Sequence, residues 1–151
     1  MSVEIMVFIE SSKMVSPIKW QEAIKENGFD MQIDANFDVV SKTGFLPCTY
    51  KGQLAGFEYY YSDENSDDDF EETDDTEETD FVGDRDVSIT LRTSSRILEL
   101  MTSVIAAGVL CSITDGVLYD TYAGTYFTAK ESINWAKENE AEIQKEIDAS
   151  K

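Results

Sequence analysis

Residues 62–80 read SDENSDDDFEETDDTEETD, in which twelve of nineteen side chains are acidic and none is basic. Closely spaced like charges repel one another and resist burial, so this run can add nothing to a core. Any fold must be assembled from the two stretches that flank it. Both are equipped for that: 42% of the chain is apolar and 11% aromatic, whereas disordered chains of comparable charge lack aromatic and β-branched residues. At 151 residues the chain has the size of one domain, 1–151, with an acidic insertion over residues 62–85.

Hydrophobic periodicity gives the elements. Val3, Ile5, Val7 and Ile9 alternate with Glu4, Met6, Phe8 and Glu10, as in an interior strand. Ser16-Pro17 offers an N-cap and a proline at the first helical position, and Gly28 is placed to end a helix carrying Trp20, Ala23 and Ile24. A short alternation follows within Phe29–Phe37. Phe45–Tyr50 and Leu54–Tyr61 flank Lys51-Gly52 as the arms of a tight hairpin, with Pro47 placing its strand at an edge or start.

Beyond the run, Val87, Ile89 and Leu91 alternate with Ser88, Thr90 and Arg92. A helix with apolar residues around most of its circumference follows, starting near Thr93 or Ser94 and broken by Thr114-Asp115-Gly116. Val117–Tyr119 and Thr125–Phe127 form a second hairpin, and Thr128 with Glu131 is a capping box that opens a last helix. The order is β-α-β-β-β-(acidic loop)-β-α-β-β-α. It implies an α+β two-layer sandwich of a mixed or antiparallel sheet with about three helices, ferredoxin-like or related.

The balance of 12 basic against 31 acidic residues gives a net charge of −19. Such a field repels nucleic acid and anionic membrane surfaces and attracts basic proteins. The opening MSVEIMVFIESSK has no basic region ahead of its short apolar run, and Ile97–Ile113 carries Glu99 and hydroxyl residues, so neither a signal peptide nor a membrane span is expected, and the expected location is cytoplasmic. Cys48 and Cys111 lie in apolar segments without metal-ligand spacing and read as buried free thiols.

Histidine is absent, which removes the usual general base and the commonest transition-metal ligand. No glycine-rich phosphate loop follows a strand. Carboxylate catalysis would need a convergent pair among Glu10, Asp38, Glu58, Asp115 and Asp120, of which Asp115 and Asp120 read as turn or cap residues. No enzyme activity and no cofactor are expected. Asp63, Asn65, Asp67, Asp69, Glu71 and Asp74 fall at calcium-loop offsets, which makes a calcium-binding protein one alternative. Against it, Asp68 replaces the turn glycine, Asp74 replaces the bidentate glutamate, and a strand precedes where a helix is required. A merely solvated loop is the other alternative, because loop closure costs little extra with length.

The functional expectation is a docking surface for a basic protein. Its carboxylates are those of Asp63, Glu64, Asp67, Asp68, Asp69, Glu71, Glu72, Asp74, Asp75, Glu77, Glu78 and Asp80. Phe70 within the run, and Tyr59 and Tyr61 beside it, would add apolar contacts that charge alone does not provide. A small, acidic, histidine-free α/β chain with an anionic loop over Asp63–Asp80 resembles, in class, bacterial immunity proteins that neutralise secreted nuclease toxins. The segment SITDGVLYDTYAGTYFTAKESINWAKE, Ser112–Glu138, resembles the strand-turn-strand-helix endings of unassigned bacterial proteins. The resemblance implies occlusion: acidic side chains pair with lysines and arginines of a nucleic-acid-binding cleft and exclude its substrate.

Overall fold

The alternating segments meet in one sheet in the computed structural model, which describes residues 3–63, 85–94 and 96–149. In chain order the elements are β1 (Val3–Ile9), a 3-10 turn (Ser11–Lys13), α1 (Pro17–Glu26), β2 (Met31–Ile33), β3 (Thr43–Tyr50), β4 (Gln53–Asp63), β5 (Val87–Thr93), α2 (Ile97–Ile113), β6 (Val117–Asp120), β7 (Thr125–Thr128) and α3 (Ala129–Ala149). The sheet order is β2-β3-β4-β5-β1-β6-β7, antiparallel throughout. This is an α+β sandwich. Its central strands β4-β5-β1-β6 have the split β-α-β order of a ferredoxin-like domain, since β1 lies between β5 and β6 and the chain crosses it through α2. The β2-β3 pair extends that core on one side and β7 on the other.

Local chemistry explains most boundaries. Ser16 Oγ accepts from Lys19 N at 3.2 Å with Pro17 at the start of α1. At the other end Gly28 takes φ +86°, Gly28 N–H donates to Lys25 O and Phe29 N–H to Ile24 O, a Schellman ending whose Phe29 is buried. Lys51 and Gly52 both have positive φ, as a two-residue type I′ hairpin requires. Pro47 sits in β3 just past Cys48, where pairing with β2 ends. Its carbonyl accepts Asp34 N–H on that side, so the missing proline N–H falls beyond the short neighbour and disrupts no ladder.

Two boundaries differ from the sequence expectation. β2 keeps only three residues, because Asp34 Oδ1 accepts Asn36 N–H and Asp38 Oδ1 accepts Val40 N–H, turning the chain away. β5 runs through Thr93, which pairs with Val3, and α2 begins only at Ile97. Glu99 reaches back from the first turn to take Ser94 N–H and Oγ–H at 3.2 and 2.8 Å.

The core occupies one face of the sheet. Ile5, Val7 and Ile9 of β1, Ile89 and Leu91 of β5, Phe57 and Tyr59 of β4, and Leu46 and Cys48 of β3 all point to it. α2 lies over them, and Met101–Cys111 are buried without a break. The near-continuous apolar circumference is thereby explained: the sheet is below, Trp20 of α1 is on one flank, and α3 crosses at Gly108. Among the described residues Thr93 Oγ1 is the buried side-chain polar atom without a partner. An unmet buried hydroxyl costs about 1–3 kcal/mol. Thr93→Val is therefore expected to stabilise the protein by about 1 kcal/mol, seen as a higher urea midpoint with an unchanged slope.

Candidate partner-binding surface

The acidic connection leaves and re-enters the sheet side by side. β4 ends at Asp63, β5 begins at Val87, and these two residues are a register pair. The proposed contacts Glu64, Asp67, Asp68, Asp69, Phe70, Glu71, Glu72, Asp74, Asp75, Glu77, Glu78 and Asp80 lie outside the described residues. What the structure does show is the platform from which they depart.

The returning strand is held at its base by charge-assisted contacts. Asp86 accepts from Ser11 N–H at 2.8 Å and from the Ser11 hydroxyl at 3.0 Å. Arg85 donates through Nε and Nη2 to the carbonyl of Asp115 at 3.2 and 2.8 Å. Lys13 Nζ bridges Glu10 at 2.9 Å and Asp115 at 3.2 Å; its pKa is raised by the Glu10 contact first and by Asp115 next. Asp115 adopts φ +52° at the end of α2, where Gly116 N–H closes onto Cys111 O. Glycine follows it for a different reason: a Cβ on Gly116 would stand 2.8 Å from the Phe8 carbonyl oxygen. Sequence reading missed Ser11, Arg85 and Asp86. The available signal was the Arg85-Asp86 pair, the first basic residue after the run beside an acid at a strand start.

The Ser11 donors hold the Asp86 carboxyl below its usual range. A carboxylate depressed in the folded state contributes stability above its unfolded pKa and loses it as pH falls through the folded value. Asp86→Asn is therefore expected to lower the denaturation midpoint at pH 7, and the gap to the parent protein is expected to close as pH drops below about 4. A gap that stays constant with pH would remove the ionic part of this argument.

The three tyrosines before the run divide by strand alternation. Tyr59 is 0% exposed, its hydroxyl donates to Val39 O at 2.6 Å, and its ring packs on Trp20 and Phe37. It holds the core and has no surface to offer a partner, which corrects its selection as a contact. Tyr61 points to the same face at the rim, partly buried, and burial followed by the charges of Asp63 and Asp86 raises its pKa. Tyr60 faces the other way and donates to Glu58 at 2.6 Å.

That other face carries Glu58, Tyr60, Thr90, Arg92, Met6, Tyr119 and Tyr126, and no described helix covers it. The Tyr119 and Tyr126 rings pair across β6 and β7 with centroids 4.5 Å apart. The remaining sequence candidates have local duties. Asp38 and Asp120 cap turns, Asp115 and Glu10 pair with Lys13, and Glu58 accepts from Tyr60. No three metal-capable side chains cluster among the described residues, and the residues up to Asp63 are strand, where an EF-hand needs a helix. Cys48 and Cys111 are free and buried, and burial pushes the Cys111 thiol up to about 12. No family model, no curated protein and no solved structure matches the chain.

Proposed function

We propose that this chain is a non-catalytic binding protein that presents its acidic segment to a basic protein, acting as an inhibitor of the immunity class by covering a nucleic-acid-binding cleft. The observation that carries the reading is the pairing of Asp63 with Val87, which brings to one point on the sheet both ends of the segment whose run over residues 62–80 holds twelve of the chain's 31 acidic residues. Charge gathered at one pole steers a basic partner into encounter more effectively than the same charge spread over the surface. Contacts of Asp86 to Ser11 and of Arg85 to the Asp115 carbonyl at the end of α2 brace that pole against the domain. Among the described residues no helix is long and apolar enough to cross a membrane, and a cytoplasmic location belongs to this proposal.

The test is kinetic. A basic protein captured from host extract at low salt is mixed with the parent chain and with a variant whose twelve carboxylates are replaced by their amides. Neutralisation is expected to slow association about 10- to 100-fold at low ionic strength and to flatten its salt dependence. An unchanged on-rate with an unchanged salt slope would rule the proposal out.

A further inference from the structure

At the opposite end of the strands from the acidic connection, the start of β1 and the end of β6 meet α2 and α3 around a cavity of about 360 Å³. That volume is within the range of small-ligand sites. Val3, Ile5, Leu100, Val104, Trp135 and Ile143 supply apolar lining. Its polar members are Asp120, Asn139, Glu142, Glu146 and Tyr122, and it has no basic residue. Of the α3 contributors, Trp135, Asn139, Glu142 and Glu146 recur at intervals of four, three and four, and Ile143 adjoins Glu142, so they form one stripe of the helix.

The polar groups are almost all acceptors. Asn139 donates one amide N–H to the Trp135 carbonyl at 2.8 Å, leaving its oxygen and a second N–H. Asp120 uses one oxygen to hold the turn at Tyr122 and Ala123. Among the described residues Glu142 forms an ion pair of 3.6 Å with Lys145, and both of these side chains are largely exposed. Tyr122, presented by the Asp120 turn, is 81% exposed. An anionic ligand would be repelled here, and a bare metal ion would gain nothing from the apolar lining. The complementary molecule has several N–H donors, a positive charge and an aliphatic body, and an exposed tyrosine at the site favours a cation further.

We infer that this cavity binds an aliphatic ammonium group, with the stem against Val3, Ile5, Val104 and Ile143 and the cation among Asp120, Glu142 and Glu146. The chemistry is shared by a free diamine and by a lysine side chain. The site does not rest on the acidic segment, so it stands or falls separately from the proposed function.

The test is an NMR titration of the full-length ¹⁵N-labelled chain, reading the Trp135 indole N–H, with the fully buried Trp20 indole as the control for general perturbation. The probes are 1,5-diaminopentane, Nα-acetyl-lysine N-methylamide and the neutral pentane-1,5-diol. Saturable Trp135 shifts are expected with an amine, with the diol at least tenfold weaker. The double variant Glu142→Gln, Glu146→Gln, at two exposed positions, is expected to weaken amine binding about tenfold and leave the diol unchanged. Tighter binding of the diamine identifies a free polyamine as the natural source, and tighter binding of the lysine derivative identifies a protein side chain. The absence of a saturable shift, equal binding of the diol, or full amine affinity in the double variant would each overturn the inference.

Discussion

Replacing Gly108 with valine is expected to cost about 3 kcal/mol or more, a large share of the 5–15 kcal/mol that stabilises a typical domain. Gly108 lies at the crossing of α2 and α3. A Cβ there would stand 2.7 Å from Ala136 Cβ and 2.9 Å from the Ser132 carbonyl oxygen. The second neighbour is backbone and cannot rotate away, so α3 must move as a body and open the seam that buries Trp135, Ala136 and Ile143. Alanine at the same site separates two opposing effects. Helix propensity favours alanine over glycine by about 1 kcal/mol, yet both short contacts persist, so Gly108→Ala is expected to destabilise as well, by less than valine. Adding Ala136→Gly removes one of the two contacts and is expected to recover only part of the loss. Urea denaturation of the four proteins checks the series, and a Gly108→Ala protein as stable as the parent would refute the close crossing.

Trp20→Ala is expected to cost about 3–5 kcal/mol. Trp20 is 0% exposed, its indole Nε1–H donates to the Ala106 carbonyl at 3.1 Å, and its ring stands 6.2 Å from Tyr59. Truncation would leave a large void between α1, α2 and the sheet that no neighbouring helix can close without moving. Trp20→Phe separates packing from hydrogen bonding: most of the apolar contact returns, and the residual deficit reports the lost indole donor and incomplete filling, about 1–2 kcal/mol. Equal losses for the two variants would show that the site does not depend on side-chain volume. Because Trp20 flanks α2 on the α1 side and Gly108 faces α3, the two substitutions act on separate seams of the same helix, and their effects are expected to add approximately.

The elements were legible because they are written locally. Alternation in β1 and β5, the proline start and glycine end of α1, the Lys51-Gly52 turn and the Thr128–Glu131 cap are all encoded within a few residues, and each is found in place. Strand order was not legible, since nothing near Val3–Ile9 states that β5 and β6 will flank it; that pairing is decided by which apolar faces can be closed together across more than eighty residues. Glu140 illustrates the same limit on the helix side. It interrupts the apolar stripe of α3, and its reason is the Tyr50 hydroxyl, 90 residues earlier, donating to it at 2.8 Å. Trp135 lies off that stripe because it packs on Phe127 of β7 as well as beside Gly108. Runs of adjacent tyrosines gave an ambiguous signal: alternation sends Tyr59 inward, and only its register with Leu91 and Gly44 fixes which face that is.

The direct pairing of Asp63 with Val87 also bears on how such a protein can change over time. A connection that begins and ends on bonded neighbours is topologically neutral, like a graft at a single node. Its length and charge can be rewritten while every strand keeps its partner, so this segment is free to diverge on a scaffold inherited intact.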